Sequence, residues 1–307
     1  MDKAEISGIR ALINKQRRYE AIFIALGILA LTLGILTFAT LFVDMILDGY
    51  QRLRPDFFTS FPSRRAENAG ILSAWVGSCL VMFVTAFVAV PIGIAAGIYL
   101  EEYAPKHWIT DIIEINISNL AGVPSIIYGL LALGLFVYVF GLGHSILTAG
   151  LTLALLILPI VIVATREAIR TIPGVIREGA FALGATKWQC VRHHVLPYSF
   201  PGILTGVIIG LARAIGETAP IITIGALTFI AFLPPAPLQA APPYLNFEWL
   251  WAPFTVMPIQ IFNWTSRPQE AFHANAAAAG FVLVIMTLSM NAIAIYLRYR
   301  LRRNLKW

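Results

Sequence analysis

Six apolar stretches, each long enough or nearly so to cross a bilayer, decide what this chain can become. They run at about Ala21–Leu47, Ile71–Leu100, Ile117–Phe140, Leu147–Ala164, Pro201–Phe232 and Ala276–Leu297. A helix rises about 1.5 Å per residue, so roughly 20 apolar residues cross a hydrocarbon layer about 30 Å thick. Hydrocarbon offers no water to unpaired peptide groups, which leaves helices or closed barrels as spanning structures. A barrel would show alternating segments of about ten residues, and these runs are too long and too uniformly apolar for that. Only 12% of the 307 residues are charged and 58% are hydrophobic, whereas a soluble domain carries about 25% charged residues. The expected fold is all-α, a polytopic membrane bundle of about six transmembrane helices. Pro91, Pro124, Pro159 and Pro220 lie in or near the spans and predict kinks.

The charges predict an orientation. With both termini on the cytoplasmic side, sixteen of the 22 Lys and Arg fall on inner segments, five on outer ones, and Arg213 lies within a span. Four of the outer five, Arg52, Arg54, Arg64 and Arg65, share one loop and run against the rule. The expected organisation is an inner segment at 1–20, a first span with its outer loop at 21–70, a main transmembrane domain at 71–298 enclosing an inner loop at 166–197, and a basic tail at 299–307. The first apolar run is too long for a signal core and lacks a small-residue cleavage site, so it reads as a retained span. The net charge of +6 gathers beside the spans and calls for no nucleic acid. Cys79 and Cys190 fall on different elements and are expected to be free; no metal-ligand spacing occurs.

One pair stands out inside the membrane. Arg213 and Glu217 sit in an otherwise apolar run, four residues apart, and a helix would bring them together on one face. A charge at the bilayer centre costs about 3 kcal/mol on insertion scales and is tolerated where it faces protein or a water-filled path. Gly202, Gly206, Gly210, Ala214 and Thr218 repeat every four residues beside it, a stripe that admits a close neighbouring helix at a seam where a path between subunits or half-bundles could run. Thr218 and Thr223 add hydroxyls. The pair suits an oxyanion pathway, since a guanidinium donates two parallel hydrogen bonds; a purely structural ion pair remains the alternative.

The inner loop reads as two short helices around a glycine turn. Pro173 suits a first helical turn, Gly184 a left-handed end, and Thr186 with Gln189 a capping box, with Pro197 closing the second helix. Periodicity alone also allows a basic amphipathic loop resting on lipid headgroups. The outer stretch Leu233–Asn275 is rich in Pro and aromatics; Trp249, Trp251 and Trp264 suit a membrane interface, and Phe254–Phe262 could lie along the surface or re-enter. Asp44 and Asp48 read as interfacial, His193–His194 as a solvated basic face, and Glu101–Glu102 as the solvated end of a helix. Ser125 and Ser145 lack a base partner for nucleophilic catalysis.

Glu178-Gly179-Ala180, Gly184 and Leu196-Pro197 resemble the E-A-A-x3-G-x9-I-x-L-P signature of ABC importer permeases, with Gly179 for Ala and His194 for Ile as departures. Leu211–Pro220 and Phe262–Gln269 resemble the phosphate-importer branch, the PstA type, and the similarity extends from about Ile71 to Arg298. That resemblance implies a type I ABC importer permease fold and a transport subunit that is not itself an enzyme. It implies a coupling loop that grips an ATP-binding subunit dimer through Glu178, Gly179, Ala180, Gly184, Leu196 and Pro197. It also implies a homologous second permease subunit, a periplasmic or extracellular phosphate-binding protein, and inorganic phosphate passing Arg213 and Glu217. The chain would sit in the cell inner membrane among lipid, with no cofactor of its own. ATP and Mg2+ would belong to the partner ATPase, consistent with the lack of a G-x4-G-K-[ST] phosphate loop here. Permeation of sulfate or molybdate, or an ion-driven anion carrier, are the alternatives.

Overall fold

A computed structural model describes residues 3–239 and 244–303, with side chains described between 16 and 300 apart from that gap. The terminal charges Lys3, Arg10, Lys15, Arg302, Arg303 and Lys306 used for the orientation, the last residues of the expected tail, and 240–243 of the Pro-rich stretch lie outside these limits. In chain order the helices are α1 (Lys3–Gly49), α2 (Pro55–Thr59), α3 (Leu72–Ile98), α4 (Trp108–Leu120), α5 (Ser125–Ala132), α6 (Ile146–Arg170), α7 (Gly174–Ala182), α8 (Lys187–Cys190), α9 (Leu196–Gly216), α10 (Ala219–Thr223), α11 (Met257–Thr265) and α12 (Glu270–Arg303). Three π-helical stretches interrupt the regular pattern: Tyr99–Tyr103 after α3, Leu133–Val139 after α5 and Val191–Val195 before α9. No strand occurs among the described residues.

Five helices are long and apolar enough to cross a membrane, and a bent pair supplies the sixth passage. That pair corrects the expected straight span at Ile117–Phe140. Trp108–Leu120 and Ser125–Val139 meet at 104°. The break falls at Ala121–Pro124, where Pro124 disfavours helical geometry at Val123 and Gly122 weakens the helix on its own account. The other spans begin or end several residues from their expected limits; α6 runs on to Arg170 and α12 starts at Glu270.

The centre of the bundle is α6, two-thirds of whose apolar window is buried. It lies between α3 and α9. Its polar side chains are paid for locally: Thr152 donates to the Thr148 carbonyl at 2.6 Å and Thr165 to that of Val161 at 2.7 Å. The small-residue stripe of α9 packs against α6 of the same chain. Gly202 faces Ala168, Gly206 faces Ala164, and Gly210 faces Ile157 and Val161. A Cβ at Gly202 would lie 2.7 Å from that of Ala168. The stripe is therefore an internal seam, and Thr218 lies past the end of the helix rather than on it.

By contrast, the apolar part of α1 is almost wholly exposed, and only its far end meets the bundle. There Phe42 packs on Phe281 at 5.4 Å and Gly49 rests on the α12 backbone at Ala278. Arg52 fixes this corner, donating to Asn275 Oδ1 at 2.5 Å and to the carbonyls of Glu67 and Ala69 at 2.8 and 2.9 Å. One arginine that breaks the charge rule thus serves as a hydrogen-bonding clamp. The segment around α11 also folds inward. Ser78 Oγ accepts the Met257 N–H at 2.9 Å, and Met257, Ile259, Gln260 and Trp264 are buried. Of the three tryptophans expected at an interface, Trp249 and Trp264 are core residues because neighbouring loops close over them, whereas Trp251 is exposed.

The α6–α9 seam yields a stability prediction. Gly206→Leu forces the two helices apart, since a Cβ there collides with Ala164, and overpacking of this kind costs about 1–3 kcal/mol. Thermal unfolding of the detergent-purified protein should shift downward; an unchanged transition would contradict the seam.

Candidate functional site

Helix α9 ends where the membrane charge pair sits. Arg213 occupies its last turn, and Glu217 is its C-cap, with φ −72° and ψ 126°. The sequence placed both residues inside one continuous span to Phe232; instead the helix stops at Gly216, α10 covers only Ala219–Thr223, and the chain beyond is irregular. The cause is local. Pro220 falls at the start of α10, where its missing N–H is harmless, and the next helix begins on a new axis. The pair survives this break, with Arg213 Nε donating to Glu217 Oε1 at 3.1 Å.

The two side chains differ in access. In the single chain the Arg213 side chain is 37% exposed and that of Glu217 17%. Glu217 faces inward to a cavity of about 10 Å3, enough for about one water, bounded by Ser78, Met82 and Ile215. Beyond the Nε bond, no hydrogen bond from the two Arg213 Nη groups to protein occurs among the described residues. The carboxylate is thus the seated partner and the guanidinium presents its outer edge. Thr218 is close in sequence but opens on a different groove of about 530 Å3, shared with Ala219, Ile222 and Phe262. Thr223 donates to the Pro220 carbonyl at 2.8 Å, so its hydroxyl is engaged within α10.

The loop at 166–197 has the expected two-helix form. The N–H of Ala185 reaches the Ala180 carbonyl at 3.0 Å and that of Gly184 reaches Phe181 at 2.9 Å, with Gly184 at φ +80°. These are the paired bonds of a Schellman end, which needs a residue tolerant of left-handed geometry. Thr186 and Gln189 form a reciprocal capping box. Pro197 departs from expectation. It does not end a helix; it sits in the first turn of α9, and the π-turn Val191–Val195 joins α8 to α9 without a gap. His194 is exposed, so a polar ring at that position disturbs no packing.

Among the signature residues, Ala180 is buried and packs with Ile169, Ile172, Cys190 and Val195 beneath the loop. Glu178, Gly179 and Gly184 are exposed, and Leu196 and Pro197 are half-buried. The outward face also carries exposed Val175, Phe181, Leu183 and Trp188. Of the predicted apolar stripe, Ile176 and Ala180 turn inward while Val175 and Leu183 turn outward, the latter 91% exposed. An exposed apolar knuckle on a rigid turn suits a protein groove.

Glu101 and Glu102 are held by arginines rather than freely solvated. Glu102 is bound by Arg177 through Nε at 2.9 Å and Nη2 at 2.8 Å, and Glu101 by Arg170 at 2.9 Å. Sequence spacing gave no sign of this, because the partners lie 75 and 69 residues apart. Cys79 and Cys190 are free, as expected.

Residues 89–307 match the family described as binding-protein-dependent transport system inner membrane component. The chain is 31% identical over 271 residues to the probable ABC transporter permease protein YqgI of Bacillus subtilis, covering 84% of this chain and 87% of that one. It is 28% identical over 295 residues to the phosphate transport system permease protein PstA of Xylella fastidiosa, covering 94% and 96%. Its fold is similar to the inward-facing MetNI methionine ABC transporter, with a TM-score of 0.57 at 18% identity over 74% of this chain and 93% of the other. The chain is a member of the binding-protein-dependent transport system inner membrane components, the membrane-spanning permease subunits of ABC importers.

Proposed function

We propose that this chain forms half of the membrane pathway of an ATP-driven importer of inorganic phosphate. The observation that carries the reading is the Arg213–Glu217 pair at the broken end of α9, with its guanidinium edge accessible and its carboxylate seated. Phosphate transport system permeases among the relatives agree with it. An arginine fork matches a phosphate oxygen pair. Glu217 neutralises the resting charge, which lowers the cost of holding Arg213 in the membrane and weakens retention of the anion. A pathway needs both admission and release.

The complete transporter would place this chain beside a homologous second permease subunit, against which the exposed length of α1 could pack. A soluble phosphate-binding protein would dock on the outer side, and an ATPase dimer carrying ATP and Mg2+ would receive the α7–α8 knuckle through Glu178, Gly179 and Gly184 on its face, with Ala180, Leu196 and Pro197 supporting it. Both termini would lie on the cytoplasmic side of the cell inner membrane. Thr218, on its separate groove, would lie at the edge of the path.

Two substitutions test the site. Arg213→Gln should lower phosphate uptake in proteoliposomes at least about tenfold, the worth of one charge-assisted hydrogen bond, while all subunits still co-purify. Retained uptake would contradict a substrate role for Arg213. Glu217→Gln should lower both the apparent KM and the maximal rate, since the anion would be held more tightly; a raised KM would oppose that role. Sulfate and molybdate competition assays separate phosphate from other oxyanions. For the knuckle, Gly184→Pro is incompatible with φ +80° and should reduce recovery of the ATPase subunit with the permease; normal stoichiometry would count against docking through this turn.

A further inference from the structure

On the side of the bundle that bears the knuckle, four elements bring together six charged side chains. Glu101 and Glu102 lie in the π-turn that closes α3, Glu114 on α4, Arg166 and Arg170 at the end of α6, and Arg177 on α7. Arg166 pairs with Glu114 and lies 3.6 Å from Glu101. Arg170 lies 2.9 Å from Glu101 and 3.8 Å from Glu114. Arg177 binds Glu102 twice and also donates to the carbonyls of Ile172 at 2.8 Å and Ile169 at 3.1 Å. Thus one side chain of α7 grips both the end of α3 and the end of α6.

Burial gives this arrangement its stiffness. The side chain of Arg166 is 6% exposed and that of Glu102 9%. A buried ion pair is weak evidence of stability, but separating one strands an uncompensated charge and is strongly opposed. The apolar patch of Ile169, Ile172, Ala180, Cys190 and Val195 lies beneath the same helix. Apolar contacts alone would let α7 slide, whereas a guanidinium held by four directed bonds does not. The loop is also flanked by π-turns, Tyr99–Tyr103 on the α3 side and Val191–Val195 before α9. Such turns recur at functional sites. The loop is therefore clamped to α3 and α6 and runs on into α9.

We propose that Glu102 and Arg177, backed by Glu101, Glu114, Arg166 and Arg170, are the positioning residues that pass movement of the ATPase-facing loop to α3, α4 and α6 and return the outer signal to the ATPase. This rests on the reading of α7–α8 as the ATPase docking element. The clamp makes α7 and the inner ends of α3 and α6 one body. When the ATPase moves the knuckle, the bundle moves with it; when an outer receptor moves the bundle, the ATPase is informed by the same contact.

The test uses the complete transporter in proteoliposomes, with ATP hydrolysis measured with and without the substrate-loaded binding protein. Glu102→Gln keeps the size and acceptor but removes the charge; Arg177→Lys keeps the charge but removes the fork. Each should reduce the binding-protein stimulation of hydrolysis about tenfold, within the usual range of coupling between sites, and the double variant should lose no more than either alone. Unstimulated hydrolysis and recovery of the ATPase subunit should stay near wild type. Glu167→Gln, on the exposed rim beside Arg170, should change nothing. Wild-type stimulation in either clamp variant, or losses that multiply in the double, would overturn the proposal; so would loss of the ATPase subunit, which would make these residues part of the docking face. If Glu102→Gln fails to assemble, Arg177→Lys decides by the same readout. A wild-type transporter stimulated only by a receptor for another oxyanion would count against phosphate and leave the clamp standing.

Discussion

A guanidinium withdrawn from water is held only in company, and the architecture of this chain follows from how it supplies that company. Arg213 has Glu217 within its own turn. Arg166, Arg170 and Arg177 have three carboxylates brought from α4 and the end of α3. Arg52 has no close acid in the same sense and is held by an amide and two carbonyls. These solutions differ in chemistry and in purpose. The short-range pair leaves an edge of the arginine accessible, while the long-range cluster ties its arginines to several elements at once, with Arg166 buried and Arg170 still exposed at the rim. The first suits a group that meets a passing ion; the second suits a joint.

Between the two lies α6. Its small and apolar faces receive α3 on one side and α9 on the other, and its basic end carries two members of the clamp. A tilt of α6 would therefore move both neighbours, including the helix that carries the Arg213–Glu217 pair. The Arg213 site sits at the far end of α9, on the helix that starts from the π-turn beside the docking loop. Loop and site thus occupy opposite ends of a single helix packed on α6, a layout in which movement at one end reaches the other without an intervening flexible segment.

Much of this was legible in the residues. The apolar lengths fixed an all-helical membrane bundle, the glycine turn and capping box fixed the knuckle, and four-residue spacing fixed the Arg213–Glu217 contact. The features that escaped are those decided by partners distant in the chain. Glu101 and Glu102 looked like a frayed, solvated end because their arginines come from α6 and α7. Trp264 looked interfacial because nothing local shows that Phe57 and the outer loops cover it. The small-residue stripe was visible, but its partner, α6, was not. The 104° break and the stop at Gly216 were signalled only as prolines, which mark a disturbance without giving its angle.

The central claim is that Arg213 meets the transported anion. The most direct measurement is a structure of the assembled transporter, trapped during turnover with phosphate, at a resolution that shows the guanidinium. The account predicts tetrahedral density within about 2.7–3.2 Å of the Arg213 Nη groups, in a cavity open to one side of the membrane. Arg213 closed off against a neighbouring helix in every trapped state, with no cavity reaching it, would contradict the account.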